Sequence, residues 1–119
     1  MDKNKRIARR FQDKTVTVIF NFGNKTVEGQ SINISQEGIC ILLPVNLEIN
    51  FVINCKLDFV FEGKKVQEEV VSKIVWGTDL GNNEFLAGIT YLDTSKLDKY
   101  NLYLDFLSKK EVEENDNEQ

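Results

Sequence analysis

The chain is 119 residues long, with 41% hydrophobic and 29% charged residues, a balance that fits one soluble globular domain with its own core rather than a disordered or membrane chain. It contains no histidine, so the commonest general base and metal ligand is missing and most hydrolytic and zinc mechanisms lose their usual parts. The net charge of -4 argues against a surface built to track nucleic-acid phosphates.

Residues 1–13 form a basic arm. Lys3, Lys5, Arg6, Arg9 and Arg10 stand there against Asp2, and no apolar h-region of a secretory signal follows them. From Lys14 to Phe22 the β-branched and aromatic run TVTVIFNF predicts a strand with Val16, Val18, Phe20 and Phe22 on one face. A Gly23-Asn24 turn leads into a second strand, Thr26 to Ser35, with Val27, Ile32 and Ile34, so the two make a hairpin. Gly38 to Leu43 is a third, largely buried strand, closed by Pro44. No longer apolar run exists, and this one is far short of the ~20 residues a spanning helix needs.

Phe51 to Phe61 alternates through Phe51, Ile53, Cys55, Leu57, Phe59 and Phe61, a fourth strand that turns at Glu62-Gly63-Lys64-Lys65. Val66 to Trp76 is the fifth, Gly81-Asn82-Asn83 a loop, and Phe85 to Leu92 the sixth. Trp76 is expected to pack in the core or at the rim. After Asp93, Thr94 or Ser95 is the expected cap of a helix carrying Leu97, Tyr100, Leu104 and Leu107, which ends near Lys109-Lys110. The predicted fold is therefore all-β with one C-terminal helix, a six-stranded antiparallel β-barrel over residues 14–110. Residues 111–119 carry five acids and no base and read as an acidic disordered tail. Cys40 and Cys55 lie in apolar stretches and read as buried reduced thiols, which fits a cytoplasmic protein with neither disulfide nor metal pair.

Arginine usage singles out the arm. All three arginines sit at positions 6, 9 and 10, while the other twelve basic residues are lysines. A planar fork is needed where a group must grip phosphate or a guanine edge by two parallel bonds, or stack on a ring. Arg6 and Arg10 form an R-x-x-x-R. Asn33, Ser35 and Gly38 form an N-x-S-x-x-G at the junction of two predicted strands, where Asn33 and Ser35 can project an amide and a hydroxyl toward a purine edge. Gly38 allows the sharp return or a close approach.

With both motifs in this order, the sequence resembles the PilZ domain family, whose members typically bind cyclic di-GMP through an R-x-x-x-R segment before a β-barrel and a [DN]-x-S-x-x-G turn. Lys73 to Trp76, Ala87 to Asp93 and the helix after them are similar to that family's ending. Asn50 stands where relatives commonly have a glycine, and Tyr91 replaces the usual phenylalanine, both away from the expected site. The resemblance implies a non-catalytic receptor for cyclic di-GMP, in which Arg6 and Arg10 grip guanine and phosphate while Asn33, Ser35 and Gly38 line the other edge. Arg9 lies inside the motif without being a fixed position. Lys5, just before Arg6, occupies the position that bears on whether one ligand or a stacked pair binds, and the expectation is a stacked pair.

Other classes fit less well. A PilZ-like adaptor that binds a protein and no nucleotide is the alternative reading, expected where the motifs are degraded, yet both are intact. An OB-like nucleic-acid barrel would need a basic groove. An enzyme would need a nucleophile with its base, a metal cluster or a phosphate-cradling loop, and none can be assembled. The expected partners are cyclic di-GMP and a downstream protein, with no membrane insertion.

Overall fold

The computed structural model describes residues 9–117, with side chains through residue 110. Its elements follow in the order β1 (Phe11–Gln12), β2 (Thr17–Phe22), β3 (Lys25–Ile34), β4 (Gly38–Leu43), β5 (Val52–Phe61), β6 (Lys64–Gly81), β7 (Glu84–Tyr91) and α1 (Asp98–Asn117). The pairings are antiparallel in the order β3-β2-β5-β6-β7-β4, and β4 pairs again with β3. Six strands therefore close a ring, which removes the exposed edges that invite pairing with other chains. β1 is the addition: β2 covers Lys25 to Gln30 of β3, and β1 pairs with Asn33 and Ile34 on the stretch beyond.

Turn chemistry sets the register. Glu62 and Gly63 both have positive φ, 55° and 76°, the combination that a two-residue hairpin turn twisted to match its strands requires. It is tighter than the four-residue turn expected there. Asn50, at φ 74°, holds a left-handed position without glycine, as asparagine is able to. Inside the ring, Val16, Val18, Phe20, Ile34, Ile39, Ile41, Ile53, Leu57, Phe59, Ile74 and Ile89 form one core. Cys40 and Cys55 are buried and free, and burial pushes the Cys55 thiol up to about 11.

Two apolar side chains depart from the alternation expected of them, and a third lies outside the core. Phe22 and Phe51, at 36% and 40% exposure, have left the core and meet edge to face with ring centroids 6.0 Å apart. Trp76 is not in the core either: it is 40% exposed and lies against Gly88 of β7, where a Cβ would come within 2.1 Å of its Nε1. The register of β6 on β7 slips between Ile74 and Trp76, so the tryptophan turns outward at a bulge.

The helix buries Tyr100, Tyr103 and Leu104, and Leu97 is buried just before it, with Tyr103 stacked on Phe59 at 5.4 Å between centroids. Its cap is neither Thr94 nor Ser95. Leu97 N donates to the Thr94 carbonyl, and the first free amides of the helix, those of Lys99 and Tyr100, donate to the two carboxylate oxygens of Glu68 on β6, each at 2.9 Å. An acceptor from a distant strand thus satisfies donors that helix starts leave open. The helix also runs on to Asn117, past the Lys109-Lys110 end expected for it.

Candidate functional site

The site begins with a slip in β3. Val27, Gly29 and Ser31 face inward by the two-residue period of a strand, and Ile34 is fully buried as well. The period breaks between Ser31 and Ile34, a step of three residues, because the register against β4 shifts between Ser31 and Asn33. This bulge turns Asn33, which the period would send inward, off the core face, and Ile32 before it is half-buried. Bulges commonly re-aim a side chain in this way.

Asn33 then meets the arm. Gln12 of β1 sits opposite it, and Arg10, one step before β1, donates from Nη1 to Asn33 Oδ1 at 2.9 Å. Asp13 holds the arm's far end: its amide donates to the Ile32 carbonyl at 3.1 Å, and its carboxylate accepts from Thr15 N at 2.7 Å and from the Tyr103 hydroxyl. The charge of Arg10 reaches inward too, lowering the Cys40 thiol against the larger upward push of burial.

Ser35 is placed differently from the expectation that it projects from the surface. It is 3% exposed, and its Oγ accepts from Glu37 N at 3.3 Å and Gly38 N at 3.2 Å and lies 3.2 Å from the Gly38 carbonyl. The hydroxyl therefore builds the turn. Gly38 is required for a close approach, but of the chain to itself: a Cβ there would lie 2.1 Å from the Ile89 carbonyl of β7. Beneath the turn, Tyr91 donates to the Tyr100 hydroxyl at 2.8 Å, and Tyr100 donates to the Ser35 carbonyl at 2.7 Å. Tyr91 touches none of the motif's fixed positions and is linked to Ser35 through Tyr100. Arg6 and Lys5 fall outside the described residues.

Arg9 takes another direction from Arg10. Its guanidinium carbon lies 5.5 Å from the centroid of the Phe11 ring, and its Nη1 is 3.4 Å from Ser108 Oγ on α1. Behind it is a cavity of about 230 Å³ lined by Arg9, Phe11, Gln36, Asn101, Leu104, Asp105 and Ser108. The helix side of this cavity escaped the sequence reading, although positions 101, 104, 105 and 108 recur at helical spacing. The apolar stripe of Leu97, Tyr100, Leu104 and Leu107 shares Leu104 with it and otherwise lies one position away. Asn101 Oδ1 is buried with no hydrogen-bond partner among the described residues. Among the described residues no helix is long and apolar enough to cross a membrane.

The comparisons with known proteins bear on this arrangement. The chain is similar to the structure of Bacillus subtilis Inhibitor of motility (MotI/DgrA), with a TM-score of 0.76 at 16% identity over 93% of this chain and 53% of that one; it spans about half the length of that relative. It is also similar to the PilZ domain with c-di-GMP of YcgR from Escherichia coli, with a TM-score of 0.68 at 13% identity over 98% of this chain and 100% of that one. No curated protein matches the sequence. The model of the PilZ domain family matches residues 3–106, which take in the arm from residue 3, the whole ring and the first turns of α1: the chain belongs to the PilZ domain family.

Proposed function

We propose that the protein is a non-catalytic receptor for cyclic di-GMP, in which the arm and the β3–β4 turn clamp the dinucleotide and the clamping alters a surface read by a downstream protein. The observation that carries this reading is the 2.9 Å contact between Arg10 and Asn33, which brings the end of the R-x-x-x-R segment and the start of the N-x-S-x-x-G turn to one spot. A guanidinium forks onto guanine O6 and N7 or onto a phosphate, and an amide beside it supplies both a donor and an acceptor. Ligand would replace the Arg10–Asn33 bond by contacts to itself, while Ser35 and Gly38 keep the turn in shape. The YcgR domain whose structure carries c-di-GMP has the same fold along its whole length, which supports the choice of ligand.

Arg6 and Lys5 enter the proposal from the sequence. Arg6 would take the second fork, and Lys5 the position that sets the number of ligands, with a stacked pair expected. Isothermal titration of the chain with cyclic di-GMP tests the whole reading. Saturable binding at two nucleotides per chain is expected; one per chain removes the stacked pair, and a flat titration replaces the receptor by a protein-binding adaptor.

A further inference from the structure

The cavity behind the arm has a chemistry of its own. Three of its polar groups, Asn101, Asp105 and Ser108, come from one face of α1, since residues three and four apart on a helix are neighbours. Gln36 enters from the turn and Arg9 from the arm. Asp105 already meets Lys109 at 3.3 Å, both side chains being exposed, and its carboxylate accepts hydrogen bonds without donating any. Asn101 adds a carbonyl oxygen that lacks a donor among the described residues, and the torsion that turns its terminal amide is soft, so the oxygen swings into the cavity when a donor arrives.

With that amide turned, two acceptors on one face of α1 select what enters. A phosphate can meet Arg9 here, but it presents only acceptors to the Asp105 carboxylate and the Asn101 carbonyl oxygen, neither of which donates. Guanine fits: its Watson–Crick edge presents N1–H and the 2-amino group next to each other, two donors facing two acceptors. Adenine offers one donor and one acceptor there, and hypoxanthine lacks the 2-amino group. At about 230 Å³ the space is smaller than the ~300–1,000 Å³ clefts that enclose whole ligands, which suits a single base and not a dinucleotide. Phe11 and Leu104 give the apolar walls such a ring needs.

We infer that α1 recognises a guanine base of the bound dinucleotide, with Asp105 accepting from its 2-amino group, Asn101 accepting from its N1–H and Arg9 closing the side. This rests on the receptor reading and adds a specificity-determining surface on the helix to the two motifs. It also gives the ligand a direct hold on α1, the element whose displacement would alter the outer surface.

The test compares nucleotides on the same protein. Cyclic di-GMP, cyclic di-IMP and cyclic di-AMP are titrated calorimetrically into the wild-type chain, Asp105→Asn and Asn101→Leu. The wild type should prefer cyclic di-GMP to cyclic di-IMP by roughly tenfold, the scale of one hydrogen bond to a charged group, and to cyclic di-AMP by more. In Asp105→Asn that preference should fall to within about twofold, and in Asn101→Leu the affinity for cyclic di-GMP should drop while that for cyclic di-AMP stays. Because each preference is a ratio on one folded protein, a general loss of stability cancels. Wild-type preferences kept intact in both variants would overturn the role of α1 and leave the receptor reading standing, whereas absence of cyclic di-GMP binding by the wild type would remove both.

Discussion

Arg10 and Gly38 both belong to the motifs, yet different physics holds them in place. Arg10 is exposed and bound to Asn33 by a single contact, so its value lies in what its fork does for a ligand. Arg10→Ala should weaken cyclic di-GMP binding roughly 10- to 100-fold, the range for a hydrogen bond to a charged group. Arg10→Lys should recover only part of that loss, because a point charge replaces a planar fork. Lys3→Ala should change little, and equal losses in all three on titration would reduce the arm to plain charge attraction. Gly38 acts on folding instead: the Ile89 carbonyl stands 2.1 Å from where a Cβ would be, so Gly38→Ala forces two strands apart. Overpacking of this kind costs about 1–3 kcal/mol, readable as a lower urea midpoint, and a midpoint equal to wild type would mean that the ring yields there freely. The sequence showed both positions as motif members. It did not distinguish the serine that builds the turn from the asparagine that faces out, because only the bulge between Ser31 and Asn33 decides which of them leaves the core.

At the scale of elements, strand and helix periods were legible in the residues, and the places where one element completes another were not. GICILL is β4 as expected from its continuous apolar run, and Tyr100 and Leu104 of the expected stripe lie on the buried face of α1, with Leu97 buried just before it. The cap of that helix could not be found locally, since Glu68 lies about thirty residues away in the chain and arrives only when β6 pairs with β5. For the same reason Phe22 and Phe51 read as core residues: alternation gives a side, but the end of a ring is set by its closure. The cap carries a prediction. Glu68→Ala leaves the Lys99 and Tyr100 amides without their acceptor and should destabilise the protein by about 1 kcal/mol, within the range found for lost caps. Glu68→Gln, which keeps one acceptor oxygen, should lose less. Urea unfolding followed by circular dichroism measures both, and an Ala variant as stable as wild type would show that water serves the two amides as well as the strand does.

For the molecule as a whole, the buried tyrosines tie the ring, the turn and the helix into one cooperative unit. Tyr91 bonds to Tyr100, Tyr100 to the Ser35 carbonyl, and Tyr103 to Asp13 at the end of the arm. Burial raises all three phenols above their ordinary value of 10.0, Tyr91 and Tyr100 strongly, and neighbouring hydroxyls and the Asp13 carboxylate add to the rise at Tyr91 and Tyr103 respectively. The unfolded chain therefore gives up these protons at lower pH than the folded one. Their contribution to stability is complete below about pH 10 and is lost as pH climbs from there toward the raised folded values. Each such tyrosine steepens the fall by about 1.4 kcal/mol per pH unit, and the Cys55 thiol, pushed up to about 11, adds to it from its own ordinary value of 9.0 upward. The urea midpoint should thus stay level through neutral pH and decline sharply in the alkaline range. Tyr91→Phe removes one titrating hydroxyl and leaves the Tyr100 bond to Ser35 in place, so its decline should be shallower than that of wild type between about pH 10 and pH 12. Parallel declines in the two proteins would mean that the Tyr91 proton is released from the folded state as readily as from the unfolded one, and that the phenol chain under the turn does not hold the fold together as its burial implies.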